Sequence, residues 1–66
     1  MVEIKFAENL RNFRTAKKLT QGQIAKLLGV DQRTVSAWEK GICEPSFAIL
    51  SKLCEIFEED FNGLLT

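Results

Sequence analysis

The chain contains 66 residues, of which 45% are hydrophobic, and its formal net charge is zero. This length suits one domain, which we expect to cover residues 1–66. There is no apolar run of about eighteen residues, as a membrane span needs, and no signal-peptide pattern, so we expect a cytoplasmic protein without a membrane partner. The chain has no histidine, so it lacks the most common general base, and its two cysteines alone cannot provide the four ligands of a zinc site. We therefore predict no enzyme, no metal and no cofactor, and expect Cys43 and Cys54 to stay free thiols.

The charges are divided unevenly along the chain. Residues 1–40 contain eight basic and four acidic side chains, whereas residues 41–66 contain one basic and five acidic side chains. The two segments therefore carry net charges of +4 and −4. Such a division would let one part of the molecule face a polyanion while the other part turns away. Ordinary solvated surface charge would give the same counts, so charge alone leaves both interpretations open.

Apolar spacing predicts helices from the start of the chain. The first helix is expected from Val2 to Lys18, where apolar residues recur every third or fourth position. The second is expected over residues 21–28. Thr20 is a good N-cap for it, and Gly29 stands where a left-handed residue would end it.

A third short helix is expected from Gln32 to Lys40, with Asp31 as its N-cap and Gly41 after its end. Val35 and Trp38 are three positions apart and should form its buried face. The remaining positions are polar or small, so the opposite face is free to meet a polar partner.

Two further helices complete the predicted fold. The fourth follows Ser46 as N-cap, and Asp60 is expected to cap a short fifth helix. The apolar stripe of the fourth helix consists of Phe47, Leu50, Leu53, Cys54 and Phe57.

The segment from Gln21 to Lys40 contains the most informative pattern. Two short helices joined by a glycine turn, with a polar outer face on the second, are typical of a helix-turn-helix unit that reads DNA. Small Ala25 would let the two helices approach closely. A plain three-helix bundle would share part of this pattern.

A family resemblance extends this interpretation over nearly the whole chain. The matching residues are Leu19-Thr20-Gln21, Ile24-Ala25, Leu28-Gly29-Val30, Thr34-Val35-Ser36, Trp38-Glu39-Lys40-Gly41 and Pro45-Ser46. In these residues the chain resembles the phage Cro/repressor family, also called the xenobiotic-response-element family. The resemblance implies an all-α, compact five-helix, lambda-repressor-like domain with its helix-turn-helix at helices 2 and 3. It also implies a sequence-specific regulator of transcription, expected to be a repressor, encoded by a bacterium or phage.

The resemblance also implies the residues that contact double-stranded DNA. A glutamine can bond adenine at two positions, an arginine can bond guanine O6 and N7, and the methyl groups of threonine and alanine can touch a thymine methyl. Phosphates favour helix N-termini and cations. The implied base-reading residues are Gln32, Arg33, Thr34 and Ala37, and the implied backbone contacts are Gln21, Ser36 and Lys40.

Two further predictions concern an ion pair inside the domain and an interface between two copies of it. The resemblance implies an internal ion pair between Arg14 and Glu39. Phe61, Leu64 and Leu65 offer more apolar surface than a short last helix needs, so we expect them to form a homodimer interface that matches a palindromic operator. Closure of the monomer core by the same residues is the alternative.

Three departures from the family pattern have consequences. Glu58 and Glu59 replace a common glycine-apolar pair, so the resemblance does not predict the geometry of the turn after the fourth helix. Residues 42–44 offer no cation to phosphate, so affinity is expected to be modest at physiological salt. Asp31 should oppose DNA binding unless it caps its helix. The alternative function is a protein-interaction module of the same fold, an antirepressor or accessory subunit without DNA binding.

Overall fold

The structure is a computed structural model that describes residues 5–66. This part of the chain is all-helical, with no strand, as the sequence predicts. None of its helices combines the length and the apolar character needed to cross a lipid bilayer. The five helices are α1 (Phe6–Ala16), α2 (Gln21–Leu28), α3 (Gln32–Glu39), α4 (Phe47–Phe57) and α5 (Phe61–Leu65).

The ends of two helices differ from the prediction. Helix α1 begins at Phe6, and residues 2–4 of the predicted helix lie outside the described residues. It ends before Lys18, which adopts a left-handed conformation with φ 58° and cannot continue a right-handed helix. Helix α3 ends at Glu39, and Lys40 is its C-cap rather than its last residue.

Local capping chemistry determines where α2 and α3 begin. The Thr20 hydroxyl accepts a hydrogen bond from Gln23 N at 3.0 Å, and Thr20 N donates to Gln23 Oε1 at 2.8 Å. These reciprocal bonds form a capping box. Gly29 closes α2 in the left-handed region with φ 73°. Asp31 caps α3 by accepting from Arg33 N at 2.8 Å, so all three expected turn residues are confirmed.

The core is built from one face of every helix. Trp38 is 3% exposed, so it packs inward as its spacing from Val35 predicts. The buried apolar residues are Phe6, Leu10, Ile24, Ala25, Leu28, Val35, Trp38, Leu53, Phe57 and Leu64.

Leu64 requires a correction to the expected dimer surface. It is 0% exposed and belongs to the core of its own chain, so it has no surface to offer a second copy. The cause is the docking of α5 beside α1. Lys5 N donates to Leu65 O at 2.9 Å, and Asn9 Nδ2 donates to Leu64 O at 3.0 Å. Phe61 and Leu65 remain partly exposed.

Phe47 also departs from the expected apolar stripe. It lies in the first turn of α4 and is 73% exposed. Its ring stacks on Phe61, with 4.9 Å between the ring centroids. The two aromatic side chains therefore form a surface patch where α4 begins beside α5.

Cys43 and Cys54 are free thiols in the structure. Burial raises the pKa of Cys54, and the negative charges of Asp60 and Glu59 raise it further. The Cys54 thiol therefore stays protonated at neutral pH and acts as a packing group.

Glu58 closes α4 in a conformation that favours glycine. Its φ and ψ are 55° and 45°, in the left-handed region. The turn therefore keeps a left-handed cap although a side chain is present, at a cost on the order of 1–2 kcal/mol. We expect Glu58→Gly to raise the free energy of unfolding by about 1 kcal/mol, after allowance for the greater freedom of glycine in the unfolded chain. Urea denaturation of both proteins would measure the change.

Glu55→Gly is the matched control because Glu55 is exposed inside the same helix. A glycine there should lower the stability by about 1 kcal/mol. Equal losses in the two variants would show that the conformation of Glu58 costs nothing.

Candidate nucleic-acid interface

Helices α2 and α3 meet across the turn at residues 29–31. Val30 N donates to Ala25 O at 2.9 Å, which folds the turn back onto α2. The N-termini of the two helices are also close, because a Cβ atom added to Gly22 would lie 3.3 Å from Gln32 Oε1. The start of α3 is therefore held beside the start of α2.

The outer face of α3 lines a surface concavity. Residues 32, 33, 36, 37 and 40 share this face because they recur at helical spacing, while Val35 and Trp38 point into the core. Among the implied DNA contacts, Thr34 alone is not part of the lining and is half-buried. The lining residues are Gln21, Asp31, Gln32, Arg33, Ser36, Ala37, Lys40 and Ile42.

The concavity carries more positive than negative charge. Arg33 and Lys40 contribute two cations, and Asp31 contributes one anion. Among residues 5–66, Arg14 and Glu39 form a salt bridge, whereas Arg33 and Lys40 form none. Their charges are thus available to an anionic partner. The Asp31 carboxylate accepts a hydrogen bond from the N-terminus of α3 as its cap, which partly compensates its negative charge.

Arg14 and Glu39 form a two-pronged ion pair between α1 and α3. Arg14 Nε lies 2.6 Å from Glu39 Oε2, and Nη2 donates to Oε1 at 3.0 Å. The side chains are only 14% and 5% exposed. The hydrogen bond to Glu39 raises the pKa of the Arg14 guanidinium. Such a bidentate pair fixes orientation as well as distance, so it sets the position of α3 against α1.

Two neighbours extend this ion pair. Arg14 Nη1 donates to Leu19 O at 2.8 Å, and Gln21 Nε2 donates to Glu39 Oε1 at 3.2 Å. The Gln21 amide is therefore anchored within the protein by a contact that the sequence alone does not predict. An amide group has two N–H donors and a carbonyl acceptor, so Gln21 retains capacity to bond a partner at the concavity.

Ile42 is the lining residue that sequence reasoning missed as a contact. It is 73% exposed, and its backbone N–H donates to Ala37 O at 3.0 Å. This bond brings the loop after α3 back beside the helix. The sequence offers only a weak signal for it, an isoleucine directly after Gly41 in the loop that follows the second helix of the unit. Cys43 and Glu44 are exposed in the same loop, which supplies no cation.

Two short helices that meet across a glycine turn, the second with a polar outer face, define a helix-turn-helix domain. The helix-turn-helix family profile HTH_3 matches residues 10–64. The chain belongs to this family.

Individual relatives agree with this assignment. The chain is 35% identical over 63 residues to the HTH-type transcriptional activator BcrR of Enterococcus faecalis, covering 96% of this chain and 31% of BcrR. A transcriptional regulator from Listeria innocua superposes with a TM-score of 0.93 and 33% identity, covering 97% of this chain and 60% of that one. The restriction-modification controller protein C.AhdI from Aeromonas hydrophila superposes with a TM-score of 0.80 and 35% sequence identity, and the match covers 91% of each chain. The chain thus spans about a third of BcrR and 60% of the Listeria protein.

Proposed function

We propose that this chain binds double-stranded DNA in a sequence-specific manner and regulates transcription, with α3 lying in the major groove. The observation that carries the proposal is the concavity on α3, where Arg33 and Lys40 lie outside any ion pair of residues 5–66, beside the Gln32 amide. A helix that enters the major groove needs such outward donors to reach base edges and phosphates. Membership of a family whose relatives are named transcriptional regulators supports the same conclusion.

The groups that line the concavity divide into base-reading and backbone contacts. Gln32 suits adenine and Arg33 suits guanine, because each can make two hydrogen bonds to its base. The Ala37 methyl suits a thymine methyl. Thr34 is proposed as a more peripheral contact to a base, since it lies outside the lining. The proposed backbone contacts are Gln21, Ser36 and Lys40.

We propose repression as the regulatory outcome. Occupation of an operator can block transcription without any further contact, so the domain needs only its DNA-binding face. Activation is the competing outcome, because one of the relatives is named a transcriptional activator. We also propose that the protein acts without catalysis, metal or cofactor, in the cytoplasm of a bacterium or of a phage-infected cell, where its operator would be.

The experiment that tests the function is selection of bound sequences from a random duplex pool, followed by affinity measurements at several salt concentrations. We expect an enriched motif and an affinity that falls as salt rises, because binding releases counterions from phosphates. The cation-free loop at residues 42–44 favours a second candidate, a protein-interaction module. Absence of binding to any duplex at low salt would support that second candidate.

The aromatic patch on α4 and α5 supports a homodimer as the DNA-bound form. Phe47 and Phe61 stack on each other. Leu65 follows Phe61 by four residues on α5 and is partly exposed. A two-fold contact through this patch would present two copies of α3 to half-sites about 34 Å apart on a palindromic operator. Leu64 takes no part because it is buried within the monomer.

Phe61→Ser is expected to prevent pairing on DNA and to weaken binding to a palindromic operator by about 100-fold, since the two half-sites are then bound independently. Sedimentation of the protein with full and half operators would measure both effects. Leu27→Ser is the control because Leu27 is exposed on α2, outside the patch. Unchanged pairing in the Phe61 variant would exclude this surface as the interface.

A further inference from the structure

Among residues 5–66, the large apolar side chains that are exposed are Leu27, Ile42 and Phe47. Phe47 is stacked on Phe61. Leu27 lies on α2, in a hollow that it shares with Leu19. Ile42 differs from both because it lines the concavity on α3, among groups that are mostly polar or charged.

The backbone explains how Ile42 reaches this position. Gly41 turns the chain in the left-handed region with φ 73°, and Ile42 N then donates to Ala37 O at 3.0 Å. The loop is thereby fastened to the last turn of α3. Ile42 and Ala37 both line the concavity, so the surface there contains apolar groups next to the Lys40 cation.

The chemistry of the major groove limits which DNA groups these apolar side chains can contact favourably. Phosphates and the donor and acceptor edges of bases favour polar partners. In the major groove the thymine 5-methyl group is the apolar feature that distinguishes one base from the others. Covering an exposed isoleucine with a methyl group removes apolar surface of both from water, which is favourable.

We propose that Ile42 is a specificity-determining residue that contacts a thymine methyl group from the loop after α3. The proposal rests on the proposed function and extends it, since it adds base reading from outside the helix. It accounts for a loop that has no cation for phosphate but keeps a large apolar side chain on the DNA-binding face.

Replacement of thymine by uracil removes the methyl group alone and gives a direct test. Each thymine of the selected operator is replaced in turn, and affinities are measured for the wild type and for Ile42→Ala. At one thymine, uracil should weaken wild-type binding by about fourfold, as expected for loss of one buried methyl group. Ile42→Ala should weaken binding to the thymine operator by a similar or larger factor and should not distinguish thymine from uracil at that position.

Leu27→Ala is the matched control because it removes an exposed leucine outside the concavity and should leave every affinity unchanged. Circular dichroism should show the same folding for both variants, since both side chains are mostly exposed. The proposal is overturned if Ile42→Ala keeps the full discrimination at every thymine. It is equally overturned if the variant weakens all sequences alike, which would indicate contact with the sugar-phosphate backbone. If the wild type binds no DNA at all, the proposed function fails, and this assignment fails with it.

Discussion

Replacement of Arg14 by methionine should lower the free energy of unfolding by about 3 kcal/mol, a large fraction of what so small a domain possesses. The reason is the environment of its partner. Glu39 is 5% exposed, and among residues 5–66 it keeps only the Gln21 amide, at 3.2 Å, once the guanidinium is removed. A buried carboxylate with so little compensation is costly. Urea unfolding followed by circular dichroism would measure the loss.

Arg11→Met is the matched control, because Arg11 lies on the same helix and is exposed. It should change stability by less than about 0.5 kcal/mol. The double variant Arg14→Met with Glu39→Met removes both charges, so it should lose less than the sum of the single losses. Strictly additive losses would mean that the pair contributes no coupling energy.

The same ion pair links stability to the geometry of the interface. It joins α1 to the end of α3 and, through Gln21, to the start of α2. The helix that is proposed to enter the groove is therefore held by charge-assisted hydrogen bonds at the end of α3 opposite its Asp31 cap. A variant that loosens this network should weaken DNA binding as well as folding, since a binding surface needs a fixed position.

The parts of the fold that depend on local chemistry could be predicted from the sequence. Thr20, Gly29 and Asp31 determine helix ends through bonds or dihedral angles within a few residues of themselves. Lys18 and Glu58 escaped prediction because both adopt a left-handed conformation that their residue types do not favour. Periodicity also identified the inner face of α3.

Other features depend on how distant segments meet, and the sequence does not encode them in any short pattern. Leu64 is buried because α5 docks against α1, while Phe47 extends past the edge of the core onto the surface. Ile42 joins the interface through a bond to Ala37 that only the folded loop creates. For the candidate site, periodicity could therefore predict which face of α3 is free, but not which loop residue lies beside it.

The largest effect expected on the reading of base sequence is the loss of one base preference when Arg33 is replaced by alanine. Arg33 lies in the first turn of α3, and its guanidinium can make two hydrogen bonds to guanine. Arg33→Ala should cost about 1–3 kcal/mol on the selected operator and relax the preference at one G·C pair. Lys40→Ala should instead weaken all sequences alike and lower the salt dependence by about one counterion, as expected for a phosphate contact at the end of the helix. Affinities for single-base operator variants at several salt concentrations would separate these outcomes.

Arg33→Lys distinguishes geometry from charge at the same position. Lysine keeps the positive charge but lacks the planar pair of donors that matches guanine O6 and N7. The variant should therefore retain the salt dependence of the wild type while it loses most of the preference for G·C. If Arg33→Ala and Arg33→Lys both leave the preference intact and only the alanine variant binds more weakly, Arg33 contacts phosphate. The reading of sequence at the start of α3 would then depend on Gln32, whose amide lies beside Gly22 at the junction of the two helices.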